Sequence, residues 1–171
     1  MTALAADKID PYGRTNVVEI TPEAERPQNA IRRFSTADLS RHGGWLLRRL
    51  AQQYPGVPER ALGAYLYSMT SNNEYSFLSS DHGAALAQLS RSSTLVSLPL
   101  IREEFCWAEN PQDKQHVAAA ALFYGEWRQW ATSMGVDVLI VKENTDVPDD
   151  LIEKQLGPLR KKPQVFARIG K

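Results

Sequence analysis

The sequence predicts a mixed α/β domain: a central, mostly antiparallel sheet of six to seven strands flanked by about four helices. Three observations carry this. Predicted elements run β-α-α-β-β-β-α-β-α-β, an early helix pair, a meander and then a strand–helix–strand unit. Asp81-His82-Gly83 sits between two strand-like runs as a hairpin signal. Residues 113–134 form the clearest helical stripe and lead into a β-branched run at 136–141. That crossover should be right-handed.

Each element follows from local chemistry. Residues 1–30 hold Pro11, Gly13, Pro22 and Pro27 among polar residues and read as a flexible arm; only residues 17–20 suit a strand there. The domain proper is expected over 31–171. Residues 31–34 make a short strand, and Ser35 or Thr36 offers an N-cap. The helix from Asp38 runs to Leu50, with Gly43-Gly44 expected to weaken or break it, and Tyr54-Pro55-Gly56 ends it. Pro58 stands where a first helical residue belongs. Ala61, Leu62, Tyr65, Leu66 and Met69 then share one face until Asn72-Asn73. Residues 75–78 and 84–89 are the arms of the hairpin, with Gly83 available for a positive φ.

Residues 94–107 are apolar and extended, interrupted by Pro99. Strict alternation puts Ile101, Glu103, Phe105 and Trp107 on one face, and Arg102, Glu104 and Cys106 on the other. In the long helix, Val117, Ala120, Ala121, Tyr124, Trp127, Ala131 and Met134 form the stripe, and Gly135 suits the C′ position. The run at 136–141 reads as a strand buried on both faces. Pro148 starts a short helix, Gly157 stops it, and residues 164–169 are a last strand.

Composition narrows the function. Apolar residues are 43% and charged residues 23%, as in ordinary globular domains. Lys plus Arg equals Asp plus Glu at 20 each, so whole-domain charge makes no case for nucleic acid. Arg160-Lys161-Lys162 reads as a solvated loop; a nucleic-acid surface would also need Arg32, Arg33, Arg48 and Arg49 gathered nearby. One cysteine, Cys106, permits no intrachain disulfide and fits a reducing, cytoplasmic setting. The start has no long apolar stretch, so neither a secretory signal nor a membrane span is expected. His42, His82 and His116 stand apart, with no partner at metal-ligand spacing, so no metal centre is expected. No Gly-x-Ser-x-Gly or Walker loop occurs. Tyr124 and Trp127 read as core, and Trp130 as an exposed contact.

Four segments resemble, in order, the GNAT superfamily of N-acetyltransferases over about residues 31–169. Residues 31–39 resemble its opening strand and the Ser/Thr-to-Asp-Leu helix start. Residues 77–83 resemble its second strand and Asp-Gly hairpin, residues 131–136 the end of its third helix, and residues 152–157 its fourth helix with glycine stop. The resemblance implies acyl transfer from acetyl-CoA to an unidentified amine acceptor. The family's pyrophosphate motif, Gln/Arg-x-x-Gly-x-Gly/Ala at a helix N-terminus, is similar to Gln115-His116-Val117-Ala118-Ala119-Ala120, with Ala118 replacing a glycine. Lys114 and His116 would add positive charge. Glu103 or Glu104, on the fourth strand, would be the catalytic base. Cys106 and Trp107 would flank the pantetheine, and Asn144 would contact the cofactor. The family's tyrosine acid has no match, because Glu153 occupies its position.

These departures keep two other classes open. One is a catalytically degenerate structural or interaction protein on the same scaffold, such as a phage virion or internal protein, recognising a protein partner. The other is an acyl-CoA sensor. Oligomeric state is not set by the sequence.

Overall fold

The computed structural model describes residues 30–91, 99–136, 139–140 and 144–159. The expected arm, the basic run at 160–162 and the strand candidates at 17–20 and 164–169 lie outside the described residues. Those residues form, in chain order, β1 (Arg32–Arg33), α1 (Thr36–Gln53), α2 (Glu59–Met69), β2 (Tyr75–Ser80), β3 (Gly83–Arg91), β4 (Pro99–Ala108), α3 (Lys114–Ser133), β5 (Leu139–Ile140) and α4 (Asp149–Leu156). The sheet order is β1-β2-β3-β4-β5, five strands among the described residues rather than six to seven. Neighbours are antiparallel except β4 and β5, which are parallel.

Ser35 caps α1. Its backbone N–H and hydroxyl both donate to Asp38 Oδ2, at 2.9 and 2.8 Å, and Arg32 donates to Asp38 Oδ1 at 2.6 Å. The first strand is thereby tied to the first helix. Burial pulls the Asp38 carboxyl up, but the Ser35 amide and hydroxyl and the Arg32 charge outweigh it and hold it below its usual range. α1 is continuous through Gly43-Gly44, contrary to the expected break. The helix buries Trp45, Leu46 and Leu50, and tertiary packing overrides the low glycine propensity. Pro58 is the N-cap of α2, one position before the expected one.

The sheet separates two cores. Below α1 and α2 lie Phe34, Trp45, Leu46, Leu50, Leu62, Leu66, Phe77, Leu86, Phe105 and Trp107. Below α3 and α4 lie Ala85, Ala87, Ile101, Cys106, Ala108, Phe123, Tyr124, Trp127 and Ile152. Alanines on β3 leave room for the large rings of α3, as close packing requires. Phe123 joins this core from outside the expected stripe, and Met134 is half exposed. The positive φ values of Gly135 and Gly157 fit their helix-stop roles.

β4 departs from strict alternation. Leu86 pairs with Phe105 but Ala87 pairs with Glu103, so Glu104 is an inserted residue, a β-bulge. Ile101 and Cys106 therefore face α3, while Phe105 and Trp107 face α1 and α2. The expected set of four on one face is split by the bulge.

Gly83 is required for a reason other than the one expected. Its φ is not positive. It closes the hairpin opposite Ser80, and a Cβ there would lie 2.7 Å from the Trp107 carbonyl oxygen. Gly83→Ala is expected to destabilise by about 1–3 kcal/mol, measured by urea unfolding; an unchanged midpoint would show that the strands can part to admit the methyl.

His42 is buried in α1 and accepts a hydrogen bond from Trp45 Nε1 at 3.2 Å. Burial, with the Arg41 charge, lowers its pKa from the ordinary value. The unfolded chain then takes up this proton first as pH falls. The His42 contribution is complete above about pH 6.5 and is lost below it, with a slope of at most about 1.4 kcal/mol per pH unit. Asp38 acts in a lower window, because its stabilisation goes only once the carboxylate protonates. Stability should fall between pH 7 and 5, and His42→Asn, which keeps an acceptor for Trp45, should flatten that fall. An identical slope in the variant would assign the loss to another group.

Candidate functional site

The site is the seam between β4 and β5 together with the start of α3. The parallel pairing joins Ile101 to Leu139 and Arg102 to Ile140. Farther along β4, Cys106 pairs with Thr145 as an isolated bridge. Between the two, the β5 side gains one residue on β4, so the register slips.

Beyond the slip, residues 144–146 clasp β4. The Cys106 amide donates to the Asn144 carbonyl at 3.2 Å, and the Asp146 amide donates to the Cys106 carbonyl at 3.1 Å. Asn144 Nδ2 donates to the Glu104 carbonyl at 2.8 Å, and Trp107 Nε1 donates to Asn144 Oδ1 at 3.1 Å. The Ala108 amide donates to Asp146 Oδ2 at 2.9 Å. Arg49 of α1 grips the same carboxylate with both terminal nitrogens, Nη2 at 2.7 Å from Oδ1, and lies 4.5 Å from the centre of the Trp107 ring. This is a bidentate, partly buried ion pair on an aromatic face.

Beneath the seam is a buried polar cluster. The Tyr124 hydroxyl donates to Glu103 Oε2 at 2.9 Å and lies 3.0 Å from Thr145 Oγ1. The Thr145 hydroxyl donates to the Cys106 carbonyl at 3.1 Å. Cys106 donates through sulfur to the Ala120 carbonyl at 3.4 Å. Burial, with the Glu103 charge, pushes the Cys106 thiol well above its ordinary value, so it is a packed and unreactive thiol. Burial, then the neighbouring Cys106 and Glu103, pushes the Tyr124 phenol up as well, and it stays protonated. Glu104 lies on the opposite side, where its charge raises the phenols of Tyr65 and Tyr75 after burial does.

The stretch read as a phosphate motif lies inside α3, in its first turns. Asp113 is the N-cap, and its Oδ1 accepts the Gln115 amide at 2.8 Å. That amide, with the His116 amide and the nearby imidazoles, lowers the Asp113 carboxyl. Lys114, Gln115 and Ala118 are exposed, His116 and Val117 half-buried, and Ala119 and Ala120 buried. The structure thus gathers Cys106, Trp107 and Asn144 at the seam, with Ala120 beneath. It sets Glu103 and Glu104 on opposite faces, and Lys114, Gln115 and Ala118 on the solvent side of the helix start.

Arg49, Tyr124, Thr145 and Asp146 are site residues that sequence reasoning missed. Tyr124 carried a helical-stripe signal that reads as core; the others carried none. The fold also joins two histidines that spacing had separated. His82, in the hairpin turn, stacks on His116 with ring centres 4.1 Å apart.

No family model matches the chain, and no curated protein matches it. Solved structures do. An aminoglycoside 6'-N-acetyltransferase from Acinetobacter haemolyticus superposes with a TM-score of 0.54 at 15% identity, covering 80% of this chain and 95% of that one. An aminoglycoside acetyltransferase from an uncultured soil metagenomic sample, solved with sisomicin, gives 0.51 at 14%, covering 80% and 91%. At these identities the likeness is one of fold, a GNAT-like fold as the sequence resemblance implied, with helices on both faces of a sheet whose described strands end in the parallel β4–β5 pair.

Proposed function

We propose that this chain is an acyl-CoA-dependent N-acyltransferase that moves an acetyl group from acetyl-CoA to an amine acceptor in the cytoplasm. The observation that carries the reading is the β4–β5 seam: a short parallel ladder, a register slip, and beyond it strand amides held by a loop instead of by a strand. Among the described residues no helix is long and apolar enough to cross a membrane.

As it stands, the seam does not receive a carrier. The amides of Cys106 and Ala108 are taken by Asn144 and Asp146, and Asp113 occupies the Gln115 amide at the helix start. Activity on this reading requires the clasp to leave β4. The freed amides then offer a strand-like edge to an extended arm and a donor to a polarised carbonyl. Lys114, Gln115 and His116, with the amides of the first turn of α3, would meet the phosphates; the amides from Val117 onward are bonded within the helix. Acetyl-CoA supplies the activated acyl group. Glu104, on the α2 side, would take the amine proton, and Glu103 would hold Tyr124 in place. The Tyr124 hydroxyl, beneath the seam, would return a proton to the leaving sulfur, replacing the acid absent from position 153. The clasp itself favours a second reading, a protein on this scaffold without acyl transfer.

Thermal melting with acetyl-CoA separates the two. Binding to the native state should raise the melting temperature with concentration. Acetyl transfer should follow on some member of an amine panel, which includes an aminoglycoside because both neighbours are named for that activity. No shift at millimolar acetyl-CoA removes the enzyme and the sensor alike; a shift without transfer leaves the sensor.

Asp146→Ala tests the clasp directly. Losing the partner of Arg49 and of the Ala108 amide should lower stability by about 2–3 kcal/mol. If the clasp competes with the carrier, acetyl-CoA affinity should rise by about tenfold, since the competent state becomes more populated. Lower stability with weaker binding would mean that the loop helps to form the site.

A further inference from the structure

We propose that His82, Glu109 and His116 form a binding site for one divalent transition-metal ion. The three residues come from the hairpin turn, the chain just past β4 and the first turn of α3. Their ligand atoms all lie within 4.8 Å of one another. Two imidazoles and one carboxylate are the donor set of open zinc and related sites, with positions left for water or a substrate.

The backbone holds these positions in place. The Glu109 amide donates to the His82 carbonyl at 2.8 Å, which stitches the turn to the end of β4. Arg41 fastens the neighbouring Asp81 at 2.8 Å. Gly83 permits the close approach of the hairpin to Trp107. His116 is fixed by the helix, and its two nitrogens differ. Nε2 lies 3.7 Å from Asp113 Oδ2, whereas Nδ1 is buried with no hydrogen-bond partner. Asp113 thus stands within ion-pair reach of one ring nitrogen, and a small rotation would bring it to the hydrogen bond that orients a histidine ligand through its other nitrogen. The unpartnered Nδ1 is the second observation that points to a ligand.

Charge fits as well. Glu109 and Asp113 bring two negative charges to a pair of imidazoles, which a dication balances. Metal–nitrogen bonds of about 2.0–2.1 Å require the donors to draw closer than in the ring stack. Half-exposed side chains on a turn and on a first helical turn can make that rotation without moving the backbone. The sequence holds three histidines and one cysteine. His42 and Cys106 are fully buried in the two cores, so His82 and His116 are the pair open to an ion.

The experiment uses the full chain stripped with a chelator, titrated with Zn2+ alone by calorimetry and followed by melting. One Zn2+ per chain is expected at micromolar or tighter affinity, with a rise in melting temperature. His82→Ala and His116→Ala should each weaken binding by at least tenfold, and Glu109→Gln by several-fold, with unchanged circular dichroism. Should a variant fail to fold, imidazole resonances of the unmodified chain decide: His82 and His116 must shift with Zn2+ while His42 does not. Absent saturable one-to-one binding, affinity in both histidine variants equal to that of the unmodified chain, or unmoved resonances overturn the proposal. The site does not depend on the acyl-transfer reading, because Zn2+ and acetyl-CoA are titrated separately.

Discussion

The inserted residue at Glu104 reverses the sheet face that β4 serves, and both cores depend on that reversal. Before it, Ile101 and Glu103 turn toward α3; after it, Phe105 and Trp107 turn toward α1 and α2. Without the bulge, Trp107 would fall on the α3 side, against Tyr124 and Trp127, and the α1 layer would lose the ring on which Arg49 rests. The same residue puts Glu103 and Glu104 on opposite faces. A carboxylate reaches each side of one strand although the two are neighbours in sequence.

The clasp follows from hydrogen-bond accounting. Among the described residues β4 pairs with β5 at two positions and runs on past them, and its amides at Cys106 and Ala108 must find partners. Asn144 and Asp146 supply them, one through its carbonyl and the other through its carboxylate. Arg49 then neutralises that carboxylate from α1, so the first helix, the end of β4 and the loop before α4 form one unit. Such an edge is bonded yet not committed to a strand. An extended chain or arm presenting carbonyls at the same spacing would satisfy the same amides, at the cost of separating Arg49 from Asp146 and of the Asn144 bonds to Glu104 and Trp107.

What the sequence revealed and what it concealed divide by range. The limits of α3, the stops at Gly135 and Gly157 and the Asp81-His82 hairpin are decided within a few residues, and all were legible. The bulge was not, because an inserted residue is defined only against a partner strand, and nothing in Arg102-Glu103-Glu104-Phe105 marks it. Met134 matched the helical period but is the C-cap, just past the end of α3, and is half exposed. Gly83 was recognised as necessary for the wrong reason: its constraint is the Trp107 carbonyl across the sheet, not its own φ. Tyr124 looked like core and is core at the ring, yet its hydroxyl joins Glu103 and Thr145, which the stripe cannot show. Spacing rules find candidate metal ligands on one element, and the proposed set of His82, Glu109 and His116 comes from three.

The start of α3 sets the terms on which the seam and the histidine cluster relate. A helix N-terminus favours anions through its free amides and dipole, but here Asp113 is already the anion, with Glu109 nearby. In that state the site repels phosphate and attracts cations. A dication on His82, Glu109 and His116 offsets both carboxylates and turns the same corner toward anions, with Lys114 adding to the effect. The two readings of this corner, as a metal site and as a phosphate cradle, are therefore not rivals for one charge pattern. The first supplies the positive charge that the second lacks while Asp113 stands alone.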